Sequence, residues 1–237
     1  MKLVIIIAVV VVAAAGVIVF GRSGHTNSKP VLASPGAIRY LPLGDSYTIG
    51  QSVAEAERWP NQLVASLANS GPRLQIVANP SVTGYTTKNL IDRELPLVAS
   101  LKPDFVTILI GVNDYVQGVD RETFTDNLNY IVDSLQHQLV NPKNIVLITI
   151  PDYGKTPTGA RYGAPATSEA GIREFNAVIM QIGAARGLPV ADIFSVSQGV
   201  VQDPTLTAGD GLHPSGKQYA LWTAIIQKTI TDAALLR

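Results

Sequence analysis

From Ala37 onward, apolar runs of strand length alternate with segments whose apolar residues recur every three or four positions. No other feature limits the possible folds as strongly. The strand-like runs are Ala37–Gly44, Arg73–Ala78, Asp104–Gly111, Asn144–Ile150 and Leu188–Phe194. The third and fourth are almost continuously apolar, the pattern of strands buried on both faces. Helical spacing appears from Trp59-Pro60 through Leu63 and Leu67, and from Thr86 to about Ser100. It recurs at Phe124, Leu128, Ile131, Leu135 and Leu139, and at Ile172, Phe175, Ile179 and Ile182 up to Gly187. A last helix is predicted from Ser215 to Leu236. Strand–helix repetition of this kind predicts an α/β domain with a five-stranded parallel sheet covered by helices on both faces.

Ahead of the domain, Leu3–Phe20 is an unbroken apolar run between Lys2 and Arg22. Eighteen residues at ~1.5 Å each span about 27 Å as a helix, close to the hydrocarbon thickness of a bilayer. Two readings follow: a retained signal anchor, favoured by the span, or a signal peptide cleaved near Ala13-Ala14-Ala15. Both place the rest of the chain outside the cytoplasm, either membrane-anchored through residues 3–20 or exported. The sequence therefore divides into a signal anchor or signal peptide (1–22), a flexible Gly/Ser/Pro-containing linker (23–36) and the domain (37–237).

Lys plus Arg equals Asp plus Glu, 18 each, so nothing favours nucleic acid as a partner. The chain has no cysteine, which removes disulfides, thiolate zinc sites and iron–sulfur clusters. Three histidines, His25, His137 and His213, lie far apart and lack ligand-like spacing. The oligomeric state is not legible.

Parallel sheets bind ligands beyond the carboxyl ends of their strands. Four polar or glycine positions fall in loops on that edge: Ser46 after the first strand, Gly84 after the second, Asn113 after the third and His213 after the fifth. A serine hydroxyl becomes a nucleophile when a base takes its proton. His213 is the domain histidine at the right edge, and Asp210, three residues earlier, suits its Nδ1 proton. An oxyanion would find donors in the Ser46 N–H, the Gly84 N–H and the Asn113 side-chain amide. Each piece alone has a plainer reading: Ser46 as a cap, Asp210-Gly211 and Asn113-Asp114 as turns. Trp59, Trp222, Tyr47 and Tyr85 read as packing residues, and His137 as a surface residue. The convergence of the four positions on one edge favours a site.

The blocks Gly44-Asp45-Ser46, Pro80-Ser81-Val82-Thr83-Gly84, Gly111-Val112-Asn113-Asp114 and Asp210-Gly211-Leu212-His213-Pro214 resemble, in this order, those of the SGNH hydrolases, or GDSL-type esterases and lipases. The resemblance covers about residues 38–230. It implies a three-layer α/β/α sandwich (SGNH or flavodoxin-like), a triad of Ser46, His213 and Asp210, an oxyanion hole of Ser46, Gly84 and Asn113, and no metal or organic cofactor. It further implies hydrolysis of carboxylic esters through an acyl-Ser46 intermediate, the substrate being a small-molecule, lipid or glycan ester: a lipid acyl ester or an O-acetyl group. Tyr47 stands where the name-giving motif has leucine. Thr48 stands where a Gly-x-Ser-x-Gly elbow would have its second glycine, which argues against the other α/β-hydrolase superfamily. An acyltransferase using the same site is the nearest alternative. A non-catalytic binding module is the other, and a membrane scaffold explains none of the motifs. The Tyr153–Tyr162 stretch reads as a lid or as a plain connection.

Overall fold

In the computed structural model, strand β1 (Ile38–Gly44) lies inside the sheet, and its last five residues are buried. The structure describes residues 36–68 and 71–236. The apolar run Leu3–Phe20 and nearly all of the linker lie outside the described residues. Among the described residues, no helix is long and apolar enough to cross a membrane.

After β1 come α1 (Ser46–Ile49), α2 (Trp59–Leu67), β2 (Leu74–Ile76), α3 (Thr87–Asn89), α4 (Leu95–Leu101) and β3 (Phe105–Leu109). The second half carries α5 (Val112–Val116), α6 (Arg121–Gln138), β4 (Ile145–Ile148), α7 (Pro165–Arg186), β5 (Val190–Ala191), α8 (Phe194–Ser197) and α9 (Gly216–Asp232). All strand pairs are parallel, in the order β2-β1-β3-β4-β5. Right-handed crossovers send α2 to one face, because β2 lies to one side of β1. They send α4, α6 and α7 to the other, because later strands are added in the opposite direction. The packing agrees: α2 packs on α9, while α6 packs on both α4 and α7. Helices on both faces account for the complete burial of β3 and β4.

The helical stripes bury as their spacing requires. In α2 the buried residues are Trp59, Pro60, Leu63 and Leu67, and Pro60 occupies the first turn, where its missing N–H costs nothing. In α6 they are Phe124, Leu128, Ile131, Val132 and Leu135, with the Asp120 side chain capping the Thr123 N–H. Gly187 ends α7 in the left-handed conformation.

Several boundaries differ from the sequence-based expectation. The edge strands shrink most: the second pairs only over Leu74–Ile76 and the fifth only over Val190–Ala191. Each has a single neighbour, so one ladder alone defines its extent. The last helix ends at Asp232, because Ala234 and Leu236 take positive φ. α7, whose stripe predicts a helix over residues 168–186, starts at Pro165, a residue suited to a helix's first turn. The helix expected over Thr86–Ser100 contains a wide π turn at Leu90–Glu94. Pro96 follows it and lacks the N–H that a regular helix would donate back to Asp92, which loosens the ladder there. The turn leaves Glu94 fully buried under the end of β1, where its Oε2 accepts the Gly44 N–H at 3.0 Å.

Candidate active site

The sheet reverses its direction of growth between β1 and β3. The loops leaving these neighbours depart to opposite faces and open a crevice at their carboxyl ends. Ser46 follows β1 by two residues and Asn113 follows β3 by four. The crevice is therefore bounded by the proposed nucleophile on one side and the proposed amide donor on the other.

The turn into Ser46 depends on Gly44. Its φ is +154°, and a Cβ there would lie 2.2 Å from the Leu109 carbonyl oxygen and 2.5 Å from Thr48 Oγ1. Only a residue without a side chain lets β1 run this close to β3 while the chain turns. Asp45 then caps α1, its Oδ1 accepting the Tyr47 N–H at 3.0 Å. Ser46 is the first residue of α1 and retains 6 % exposure. It is thus a helix residue, and the capping role falls to Asp45.

Asp45 also faces Asn113. The Asn113 amide nitrogen donates to the Tyr85 main-chain carbonyl at 2.9 Å and to Asp45 Oδ2 at 3.3 Å. The second is long, and an oxyanion accepting at about 2.7–3.1 Å would compete well for that N–H. Burial pushes the Asp45 carboxyl up to about 8, against the lowering hydrogen bond from Tyr47, and nearby Asp114 raises it further. Burial raises Asp114 too, opposed by the Thr87 side-chain and main-chain donors, while Glu94 is pushed well above the usual carboxylate range by burial. The floor of the crevice thus holds three carboxyls that resist ionisation.

Gly84 lies in the loop after β2 with φ +86°, and nothing stands within 4 Å of the direction its Cβ would take. Its backbone requires glycine for conformation alone, and the space in front of it is open. Gln117 donates to the Gly84 carbonyl at 3.4 Å, Thr83 donates to Gln51, and Asn79 donates to the Thr48 carbonyl at 3.0 Å. These bonds tie the Gly84 loop to α5 and to the segment that carries Ser46.

His213 is buried, with Nδ1 2.6 Å from Asp210 Oδ2. Asp210 Oδ1 accepts the main-chain N–H groups of Leu212 and His213, both at 2.9 Å. Burial tends to raise the Asp210 carboxyl. The hydrogen bonds from Ser52, the Leu212 N–H and His213 outweigh it and hold the group at about 2. An ionised carboxylate only accepts, so neutral His213 donates from Nδ1 and leaves the Nε2 lone pair free. The Tyr47 ring, next to Ser46 in the chain, meets the imidazole edge-on at 5.8 Å and Trp222 at 5.9 Å. Tyr47 is therefore a wall between His213 and the core, as its reading as a packing residue expects.

Trp59 and Trp222 are fully buried, Tyr85 is half-buried and His137 is exposed. His25 lies outside the described residues. The 153–162 stretch lies against the turn that carries Asp210 and His213: the Thr158 N–H donates to the Gly211 carbonyl at 2.8 Å and its hydroxyl to the Asp210 carbonyl at 3.1 Å. Neither these bonds nor the Glu94 carboxyl carry a signal in the sequence, because their partners are distant in the chain. Among the described residues, no group of three or more His, Asp or Glu side chains is placed to hold a metal ion.

A serine, a histidine–aspartate pair and an asparagine amide thus lie in the segments that follow the strands of a parallel α/β sheet. The chain matches the model of the GDSL-like lipase/acylhydrolase family over residues 43–221, and it belongs to that family, a class of ester-hydrolysing enzymes. It is 30 % identical over 123 residues to an arylesterase of Vibrio mimicus, covering 52 % of this chain and 61 % of that protein. It is 25 % identical to a multidomain esterase of Ruminococcus flavefaciens, covering 81 % of this chain and 28 % of the relative. The chain thus spans less than two thirds of the length of these two relatives. It is also 28 % identical to the esterase TesA of Pseudomonas aeruginosa, over 74 % of this chain and 79 % of that one. Among solved structures, a lipase/acylhydrolase from Enterococcus faecalis superposes with a TM-score of 0.67 at 26 % identity, covering 82 % of this chain and 96 % of the other.

Proposed function

We propose that this protein is a serine esterase that cleaves carboxylic esters through an acyl-Ser46 intermediate. The observation that carries the reading is the 2.6 Å contact between His213 Nδ1 and Asp210 Oδ2, which leaves Nε2 to act on Ser46, whose neighbour Tyr47 has its ring 5.8 Å from the imidazole. In the proposed reaction His213 Nε2 removes the Ser46 hydroxyl proton as Oγ attacks the ester carbonyl carbon. The tetrahedral oxyanion is held by the Ser46 and Gly84 N–H groups and the Asn113 amide. His213 returns the proton to the leaving alcohol, and water, activated by the same base, then releases the acid.

The site sits in a crevice between loops, and the family relatives are named esterases and lipases, which supports acyl esters of lipids or O-acetyl groups as substrates. A p-nitrophenyl ester series run beside an acetylated glycan separates the two. The apolar run Leu3–Phe20 supports export of the domain, either released or membrane-anchored through that run. Cell fractionation with a carbonate wash distinguishes these.

The deciding experiment is labelling with a fluorophosphonate probe. The wild type should label rapidly and Ser46→Ala should not label at all. Equal labelling of the two, or a folded wild type that stays unlabelled, sinks the proposal.

A further inference from the structure

Ser52 stands six positions after Ser46, in the loop that follows α1. The helix stops at Gly50, which is left-handed at φ 69°, and Ser52 is left-handed as well, at φ 68°. That conformation favours glycine and disfavours any residue with a Cβ. What serine offers there in place of glycine is a hydroxyl, and its Oγ donates to Asp210 Oδ2 at 2.6 Å.

Four hydrogen bonds reach the Asp210 carboxylate. Three come from its own turn: the Leu212 N–H, the His213 N–H and His213 Nδ1. The fourth, from Ser52, crosses 158 positions of sequence. The three local bonds orient the imidazole relative to Asp210 but carry no reference to Ser46. Thr158 holds the main chain of the same turn and leaves the carboxylate itself alone. On the other side, the Gln51 N–H donates to the Ser46 carbonyl at 3.0 Å. A chain of bonds therefore runs from Ser46 through Gln51 and Ser52 to Asp210, and on to His213.

We propose that Ser52 is a positioning residue: its hydroxyl clamps the Asp210 carboxylate to the loop that carries Ser46 and so sets the spacing between nucleophile and base. The inference rests on the serine-esterase reading above and extends it to a residue outside the four family blocks. The hydroxyl also shares the charge on Oδ2 with the imidazole. Without it, Oδ2 serves His213 alone and holds the imidazolium more tightly, so protonation of the base persists to higher pH. Asp210 also acts on the phenols of Tyr47 and Tyr219, which burial keeps neutral across that range.

The test compares full-length wild type with Ser52→Ala and Ser52→Gly, using p-nitrophenyl acetate from pH 5 to pH 9, melting temperature and fluorophosphonate labelling rate. Both variants should lose about tenfold to a hundredfold in kcat. KM should stay within about twofold, because the loss falls on the transition state. The acid limb of the kcat profile should move to higher pH in both. Ser52→Gly should melt no lower than wild type, because its backbone suits glycine, and so it separates the hydroxyl from the fold. Wild-type kcat and an unmoved acid limb in Ser52→Gly overturn the proposal. So does a loss in Ser52→Ala that follows its melting temperature while Ser52→Gly keeps the wild-type rate. A wild type that takes no fluorophosphonate label sinks the esterase reading and this one together. A labelled wild type beside an unaffected Ser52→Gly sinks this one alone.

Discussion

The Asn113 side chain spends one N–H on the Tyr85 carbonyl, at 2.9 Å, and leaves the other in a long 3.3 Å contact with the Asp45 carboxyl. The first bond points the amide across the crevice, and the second is weak enough to yield to a stronger acceptor. On the proposed mechanism that acceptor is the oxyanion. Asn113→Ala should stay folded, since the residue is only half-buried and sits in the short helix α5. Its kcat should fall by about 10²–10³, the cost of one oxyanion donor at roughly 2.7–4 kcal/mol. Steady-state kinetics with circular dichroism as the folding control checks this. A variant within a few-fold of wild type removes Asn113 from the site.

Asp210→Asn is a sharper probe of the acid than an alanine would be. The main-chain N–H groups of Leu212 and His213 both address Oδ1, so an asparagine there would turn its carbonyl toward them. Its NH2 would then face His213 Nδ1. That forces Nδ1 to accept and places the ring proton on Nε2, where the Ser46 proton has to go. The expected drop in kcat is about 10²–10⁴, the upper end being that of fully buried triads. The Asp210 side chain is 29 % exposed, and solvent moderates the effect. Retention of activity would mean that another group orients His213.

Activity should fall on acidification as His213 takes a proton, because a protonated imidazole accepts nothing from Ser46. Asp210, held at about 2, stays ionised through that range and contributes no limb of its own. A pH–rate profile with a single acid limb is expected. Activity undiminished well below pH 5 points to a different base.

Stability should follow the opposite course over part of the same range. Burial keeps Asp45 protonated up to about 8, whereas its ordinary value is 3.8. Between those values the native state holds a proton that the unfolded chain has released, so stability falls as pH rises. Glu94 and Asp114, also raised by burial, act in the same direction. Asp210 acts in reverse. Its stabilisation is complete above the unfolded value and is lost as pH falls toward about 2. The melting temperature should therefore peak at about pH 4 to 5 and decline toward pH 8. Asp45→Asn should flatten part of that decline, and a melting temperature that climbs from pH 5 to pH 8 contradicts the assignment.

Gly84→Ala tests the open side of the crevice. The substitution meets no neighbour within 4 Å but must hold φ near +86°, at a cost of about 1–2 kcal/mol of stability. Its methyl group would project into the space in front of the loop. The melting temperature should drop modestly while kcat/KM for esters drops by more than stability explains. Unchanged kcat/KM would place Gly84 away from the substrate.

Much of this arrangement is legible in the amino-acid order. Strand and helix periods are local properties, so the alternation from Ala37 onward predicts a parallel sheet with both faces covered, and β3 and β4 are buried throughout as that expectation demands. Because parallel strands share a direction, loop order alone assigns Ser46, Gly84, Asn113 and His213 to one edge. The contacts between those loops are not local, and only the tertiary structure decided them. The strand order β2-β1-β3-β4-β5 puts Ser46 and Asn113 just past the ends of neighbouring strands at the reversal point. The π turn before Pro96 brings Glu94 beneath Gly44. The crossing bond from Ser52 to Asp210 joins positions 158 apart, and Ser52 is an ordinary loop residue in the sequence. Periodicity records which face of an element is apolar. The pairing of buried polar groups depends on where distant loops meet, and that is set when the sheet closes.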